Sequence, residues 1–194
     1  MSKLFLFFFS VGFLQASAVA PEASIRLASQ ADKGSISFTA TGTPSFIKIE
    51  GKGKGANGEL SVTGKFAKGT FKFLLDTLDT GIDVRNEHMK EKYLNTKEFP
   101  ESTLEITQLS LPTNYDPKSG LGEGTFTGKL SLRGVTRDIS GKYKSELKKI
   151  GTEELNAKFD VNLSDFKIEI PSFAGISVGD KIEIQVNTTL FAKQ

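Results

Sequence analysis

LNAKFDVNL, residues 155–163, alternates apolar and polar side chains without interruption. Side chains of a β-strand point to opposite faces in turn, so this stretch predicts a strand with one face in a core and the other in water. The same period of two recurs, with interruptions, along most of the chain. It is found at residues 36–38, 47–49, 60–66, 71–75, 104–106, 126–132, 139–143, 166–170 and 182–190. These segments predict eight to ten short strands and an all-β fold.

The separators between these segments carry turn residues that predict sequential hairpins. Asn57-Gly58 has the preference of a two-residue type I′ turn, and residues 116–120 (DPKSG) indicate a longer hairpin loop. Consecutive hairpins imply antiparallel pairing. Many strands with one apolar face each are accommodated by a sandwich or by a sheet closed on itself, and closure also removes exposed edges.

Residues 83–95 have the pattern of a short amphipathic helix. Asp83 or Asn86 is a candidate N-cap, and Met89 and Tyr93 fall four residues apart on one face. The segment lies between strands, and Pro100 marks the return to extended chain. We therefore expect one helix over an end of the sheet structure. Many charges and few apolar anchors suit a gate that opens locally, and a fixed plug is the alternative.

The N-terminus has the pattern of a secretory signal peptide. A short start with one cation, Lys3, precedes an apolar run over residues 4–14 and small residues at positions 16–20. The run is about half of the roughly 20 residues that a membrane-spanning helix needs. Because Pro21 would hinder cleavage after Ala20, we expect cleavage after Ala18. Residues 1–18 are then the signal peptide, residues 19–194 form one domain, and the mature protein is periplasmic or secreted.

Composition excludes several classes of function. Lys and Arg number 25 against 23 Asp and Glu, and the net charge of +2 is too small for the phosphate neutralisation on which nucleic-acid binding depends. The chain has no cysteine, and His88 is its one imidazole. Residues 51–55 (GKGKG) lack the spacing of a phosphate-binding loop and are expected to form a solvated hairpin end. We assign no catalytic residue, metal, cofactor or nucleic-acid partner.

The apolar face of the strands is the most informative feature that remains. Of the 16 phenylalanines, five lie in the signal peptide and eleven must be placed by the fold. An eight-stranded barrel can be filled by its own side chains or can hold one small ligand. The pattern of residues fits both, so a ligand-holding interior and a filled interaction module stay open.

Three segments together resemble the YceI family. They are LDTGIDVRNEHM at residues 78–89, KEFP at residues 97–100 and GKLSLRGVT at residues 128–136, and Asp165-Phe166 and residues 178–182 (VGDKI) are similar to the closing strands of that family. The resemblance implies an eight-stranded antiparallel lipocalin-like barrel with one short helix near a barrel end. It also implies a non-enzymatic carrier or buffer that encloses a polyisoprenoid or quinone-like lipid. A homodimer is compatible with it, since the sequence does not determine the oligomeric state.

We expect the ligand-binding residues in two groups. The tail would contact an apolar face formed by strand and helix residues. The head group would meet cationic and imidazole side chains at the positions that match the family motifs. The first group is Phe71, Phe73, Leu75, Phe126, Leu130 and Leu132 with Met89 and Tyr93, and the second is Arg85, His88 and Arg133.

Overall fold

A computed structural model describes residues 24–113, 115–116, 118–173 and 176–193. The predicted signal peptide, residues 1–18, lies outside the described residues. Strands dominate the described chain, as the period of two predicts. No helix in this part of the chain is long and apolar enough to cross a membrane.

Eleven strands are present in the described residues, against the eight to ten that the pattern predicts. In chain order they are β1 (Ser24–Ser29), β2 (Ser35–Thr43), β3 (Lys48–Lys54), β4 (Asn57–Thr63), β5 (Phe66–Leu74), β6 (Glu101–Ser110), β7 (Glu123–Leu132), β8 (Val135–Lys149), β9 (Thr152–Asn162), β10 (Ser172–Phe173) and β11 (Ile176–Ala192).

Eight of these strands close into an antiparallel ring. Its order is β1, β4, β5, β6, β7, β8, β9 and β11, and β11 pairs back with β1 where Leu27 lies opposite Ala192. The ring confirms the predicted eight-stranded antiparallel barrel. Strand β2 continues the wall along the other half of β11, and β3 pairs with β2. Just beyond the last pair of β2 and β3, the Gly55 N–H donates to the Gly34 carbonyl at 2.9 Å.

Two expected turns are strands in the structure. Asn57-Gly58 was predicted as a hairpin turn, which is wrong, because it opens β4 with Asn57 opposite Lys72. The turn between β4 and β5 follows Thr63 and uses Gly64, whose φ is 57°. Residues 51–55 were predicted as a hairpin end, but residues 51–54 lie within β3 and pair with β2. The predicted loop at residues 116–120 lies between β6 and β7, as expected.

The helical segment was predicted at residues 83–95 and is found as helix α1 (Asp83–Glu87) followed by a π-helical turn (His88–Leu94). Asn95 ends it in the left-handed conformation with φ of 50°. The predicted N-cap is wrong, since Ile82 occupies that position and no side chain caps the helix. Asn86 instead accepts hydrogen bonds from the backbone N–H and hydroxyl of Thr80, each at 2.8 Å.

The barrel has two different ends. The strands β5, β7 and β9 run toward the end that carries helix α1, which we call the upper end. The loop before β7 packs at the lower end, where Leu121 is fully buried. Its backbone N–H donates to the buried Glu153 carboxylate at 2.9 Å, and the Tyr143 hydroxyl donates to the Ser110 carbonyl at 2.8 Å. This loop therefore helps to close the lower end.

Candidate functional site

The barrel encloses a cavity of about 510 Å³. It extends from Ile82 and Ile176 at the upper end to Thr188, which lies opposite Leu155 near the lower end. The side chains around it are almost all aliphatic or aromatic, because every strand of the wall turns its apolar face inward. A cavity of this size falls in the range of small-molecule sites, roughly 300–1,000 Å³. Its presence argues against a barrel that is filled by its own side chains.

All eight predicted tail-contacting residues line this cavity. Strand β5 and the residue after it supply Phe71, Phe73 and Leu75, and β7 supplies Phe126, Leu130 and Leu132. The π-helical turn supplies Met89 and Tyr93. Contact with a ligand stays a prediction for each of them. The Phe126 ring packs edge-on against Phe159 at 6.1 Å between centroids, which holds the centre of the β7 to β9 wall.

The prediction missed other parts of the cavity wall. Strands β2, β3, β9 and β11 supply inward side chains as large as those of β5 and β7, including Phe38, Ile49, Phe159, Ile182, Ile184 and Val186. The alternation that predicts the strands also predicts these inward faces. It does not show which inward residues border empty space, since that depends on how the wall closes.

Two glycines of β3 make room for aromatic rings in the cavity. A Cβ at Gly53 would lie 2.7 Å from the Phe73 ring, and a Cβ at Gly51 would overlap the Phe38 ring. Both rings line the cavity. The GKGKG segment therefore has a packing role in the wall, because its inward positions carry no side chain while its lysines point outward.

Most polar groups of the lining lie toward the upper end, and the hydroxyl groups of Thr188 and Tyr143 lie lower in the cavity. Arg85, on α1 and half-buried, and the exposed His88 both face the opening, together with Thr80 and Ser172. Within the described part of the chain, neither Arg85 nor His88 forms an ion pair or a side-chain hydrogen bond. Their donors are thus available to a ligand at the mouth.

Arg133 does not line the cavity. It sits in the turn between β7 and β8 with φ of 48°, and its guanidinium donates to the Lys167 carbonyl at 2.7 Å. This contact joins the turn to the segment that follows β9. The structure therefore brings Arg85 and His88 together at the mouth and leaves Arg133 apart from them.

The segment that leads into α1 is fixed to the barrel wall. Asp79 and Lys52 exchange two backbone hydrogen bonds of 2.8 and 2.9 Å. The Asp79 carboxylate accepts hydrogen bonds from the Gly81 N–H and the Asn86 amide, and these lower the pKa of Asp79, the first contributing most. The segment is therefore held in place at neutral pH, and it sets the position of Arg85 above the cavity.

Tyr143 lies at the lower part of the cavity lining. Burial, and then the nearby Glu153 carboxylate, raise the pKa of Tyr143 to about 12. The phenol therefore stays protonated in neutral solution. It can keep donating to the carbonyl oxygens of Ser110 and Leu121, and so hold the loop that covers the lower end.

Replacing Thr188 with valine is expected to stabilise the protein. Thr188 is 5% exposed, and its hydroxyl has no hydrogen-bond partner among the described residues. An unpaired buried hydroxyl costs roughly 1–3 kcal/mol, and valine has nearly the same shape without it. We expect Thr188→Val to raise the free energy of unfolding by about 1 kcal/mol in urea denaturation. Thr189→Val, on the other face of β11, is the control. A loss of stability in Thr188→Val would show that the hydroxyl is paired.

Among the described residues, no group of three or more His, Asp or Glu side chains could hold a metal ion. The features that distinguish the interior are thus its apolar walls and the polar groups at its mouth.

Comparison with known proteins agrees with this architecture. A polyisoprenoid-binding domain from Saccharophagus degradans, implicated in plant cell wall breakdown, superimposes with a TM-score of 0.67 at 14% identity, over 86% of this chain and 98% of that one. BcnA from Burkholderia cenocepacia superimposes with a TM-score of 0.65 at 13% identity, over 80% of this chain and 95% of that one. These likenesses show the fold. No curated protein sequence matches the chain. The YceI-like domain profile matches residues 28–190, nearly the whole described chain, and the protein therefore belongs to the YceI-like domain family.

Proposed function

We propose that this protein binds a polyisoprenoid or a similar amphiphilic lipid and acts as a carrier or buffer without catalysis. The observation that carries the proposal is the apolar cavity of about 510 Å³ inside the barrel, with Arg85 and His88 at its mouth. The polyisoprenoid-binding neighbour of the same fold supports the class of ligand.

The tail would occupy the cavity because transfer from water to an apolar surrounding is favourable by about 0.8 kcal/mol per CH₂. Part of that gain is offset by the loss of ligand freedom on binding. Six or seven buried carbons would still give useful affinity, roughly 5 kcal/mol before that offset. A ligand longer than the cavity can bind with its remainder near the mouth.

The head group would meet Arg85 and His88. A guanidinium presents a planar set of N–H donors that suits phosphate oxygens, and an imidazole N–H can donate to a phosphate or a quinone oxygen. Hydrogen bonds from a charged donor are stronger than neutral ones. The two side chains therefore fit a lipid whose polar end carries oxygen acceptors.

Native mass spectrometry of the protein purified from its own host tests the proposal. We expect a bound species of several hundred daltons that is released on unfolding. Its fragmentation identifies the tail and the head group. A purified, folded protein of bare polypeptide mass that also fails to bind added geranylgeranyl diphosphate would contradict the proposal.

His88→Ala is expected to weaken a lipid with a head group more than a bare hydrocarbon. We expect about a tenfold loss of affinity for geranylgeranyl diphosphate, which corresponds to one charge-assisted hydrogen bond of about 1.4 kcal/mol. The C20 hydrocarbon of the same branching should bind unchanged. Lys92→Ala is the control, since Lys92 belongs to the same helical turn but its ammonium lies over the Tyr93 ring, 5.3 Å from the centroid. Equal losses for both ligands would mean that His88 is structural.

Export to the periplasm or the medium is part of the same proposal and rests on the sequence of residues 1–20. N-terminal sequencing of the exported protein should give Val19 as the first residue. A mature pool that retains Met1 would exclude cleavage and, with it, release by a signal peptidase.

A further inference from the structure

The cavity opens at the upper end of the barrel between two chain segments. On one side lie residues 80–89, which include Ile82 and Val84. On the other lie Pro171, Ser172, Ile176 and Val178. The side chains of Ile82, Val84 and Ile176 line the cavity and are also exposed to solvent, at 49%, 59% and 39%. The apolar lining therefore continues outward from the interior to the surface.

Further apolar side chains are exposed at the same end. Phe46, 83% exposed, is at the tip of the turn between β2 and β3. That tip adjoins the start of β11, because Thr43 lies opposite Ser177. Ile170, 40% exposed, immediately precedes the segment at the opening. We call Phe46, Ile82, Val84, Ile170 and Ile176 the apolar rim.

The apolar rim contains most of the large apolar side chains that are exposed in the described residues. Eight are exposed, and five of them form the rim. Leu74 lies at the end of β5, and Phe66 and Ile150 lie at turns of the lower end. Scattered apolar residues on a surface need no explanation, but a group around an opening marks an interaction site.

We propose that the apolar rim docks the mouth of the barrel on a lipid bilayer surface. This inference rests on the proposed function, in that the cavity takes a lipid tail. A lipid tail can pass from a bilayer to the cavity without crossing water only if the apolar interior of the bilayer meets the apolar opening of the cavity. A protein seated on the rim would cover the opening, whereas a bilayer covers it and supplies the ligand through it. The rim side chains lie in connections or at the ends of helix α1 and strand β11, so each can insert at shallow depth without unfolding the wall.

The absence of tryptophan from the sequence allows a direct test of docking. Val84→Trp places a single tryptophan in the rim, and Ile150→Trp places one at the lower end, where Ile150 is 88% exposed. Each variant is mixed with phosphatidylcholine vesicles whose acyl chains carry bromine, which quenches nearby indoles. We expect at least a twofold drop in fluorescence for Val84→Trp and no change for Ile150→Trp. Equal quenching of both, or of neither, overturns the proposal.

A second pair of variants tests the rim without adding an aromatic group. Phe46→Ser removes the most exposed rim residue, which does not line the cavity, and Phe66→Ser makes the same change at the lower end. We expect Phe46→Ser to reduce co-flotation with phosphatidylcholine vesicles about tenfold and Phe66→Ser to leave it unchanged. Equal effects overturn the proposal, and self-association through Phe46 at the concentrations used, without vesicle binding, assigns the rim to a second copy instead.

These vesicles contain no isoprenoid, so docking is measured independently of ligand binding. If docking fails while geranylgeranyl diphosphate binds in solution, the rim proposal is wrong and the proposed function stands. If the rim variants behave as expected and no isoprenoid binds, the proposed function is wrong.

Discussion

Leu130→Asn is expected to weaken isoprenoid binding strongly in a protein that still folds. Leu130 lies on β7, is 7% exposed and lines the cavity. An asparagine there would present an amide without a partner to an apolar tail. An unpaired polar group of this kind costs roughly 1–3 kcal/mol, and the lost apolar contact adds to it. We expect the affinity for a fluorescent isoprenoid to fall at least about thirtyfold in a titration, since 1.4 kcal/mol is a factor of ten.

Two controls separate an effect on the site from an effect on folding. Leu130→Met keeps an apolar side chain of similar volume and should bind nearly as well as the natural protein. Leu190→Ala creates a cavity at a fully buried residue that does not line the site, and should cost roughly 2–5 kcal/mol of stability. Under conditions in which it remains folded, Leu190→Ala should bind the isoprenoid as tightly as the natural protein does. Unaltered binding by folded Leu130→Asn would remove β7 from the site.

Gly34→Ala is expected to cause a much larger loss of stability than the addition of a methyl group at Gly55. Gly34 joins β1 to β2, and a Cβ there would overlap the Ala56 carbonyl oxygen and approach its Cα to 3.0 Å. Both obstacles are backbone atoms of Ala56, in the connection between β3 and β4, so no side chain can move aside. The Gly34 carbonyl also accepts the Gly55 N–H at this point. We expect a loss of at least about 3 kcal/mol in urea denaturation.

Gly55→Ala is the matched control for this change. Gly55 is the hydrogen-bond partner of Gly34, has φ of 96° and has no atom within 4 Å of a built Cβ. The loss in the free energy of unfolding of Gly55→Ala therefore comes from backbone strain alone and is about 1 kcal/mol or somewhat more. If both variants lost the same stability, close approach at Gly34 would not be the reason for the glycine.

Local patterning was sufficient to predict the strands and the helix, and the family resemblance implied the eight-stranded barrel. The alternation over residues 155–163 became β9, and residues 83–95 became α1 and the π-helical turn, because both signals arise from neighbours along the chain. The motif at residues 78–89 carried the family resemblance, and it supplies Arg85 and His88 at the mouth. Of the eight predicted tail-contacting residues that line the cavity, six were assigned to inward faces from the period of two, and Met89 and Tyr93 from their helical spacing.

Residues typical of turns gave wrong predictions where pairing with a neighbouring strand decided the local structure. Asn57-Gly58 and residues 51–54 carry the residues of turns, yet both lie in strands. At Gly58 and Gly51 the missing side chain leaves space for Phe71 and Phe38 rather than allowing a turn. A glycine can either form a turn or leave space for a neighbouring side chain, and only the facing strand decides which of the two occurs.

By itself the sequence determined which residues face inward and which family the chain belongs to. Only the tertiary structure decided that the barrel keeps a cavity, that Arg133 binds the Lys167 carbonyl away from the mouth, and that apolar side chains collect at one end. The physical reason is that alternation depends on adjacent residues. The volume enclosed by a closed sheet depends instead on ring closure between β1 and β11, and on rings such as Phe38 and Phe73 packing over the glycines of β3.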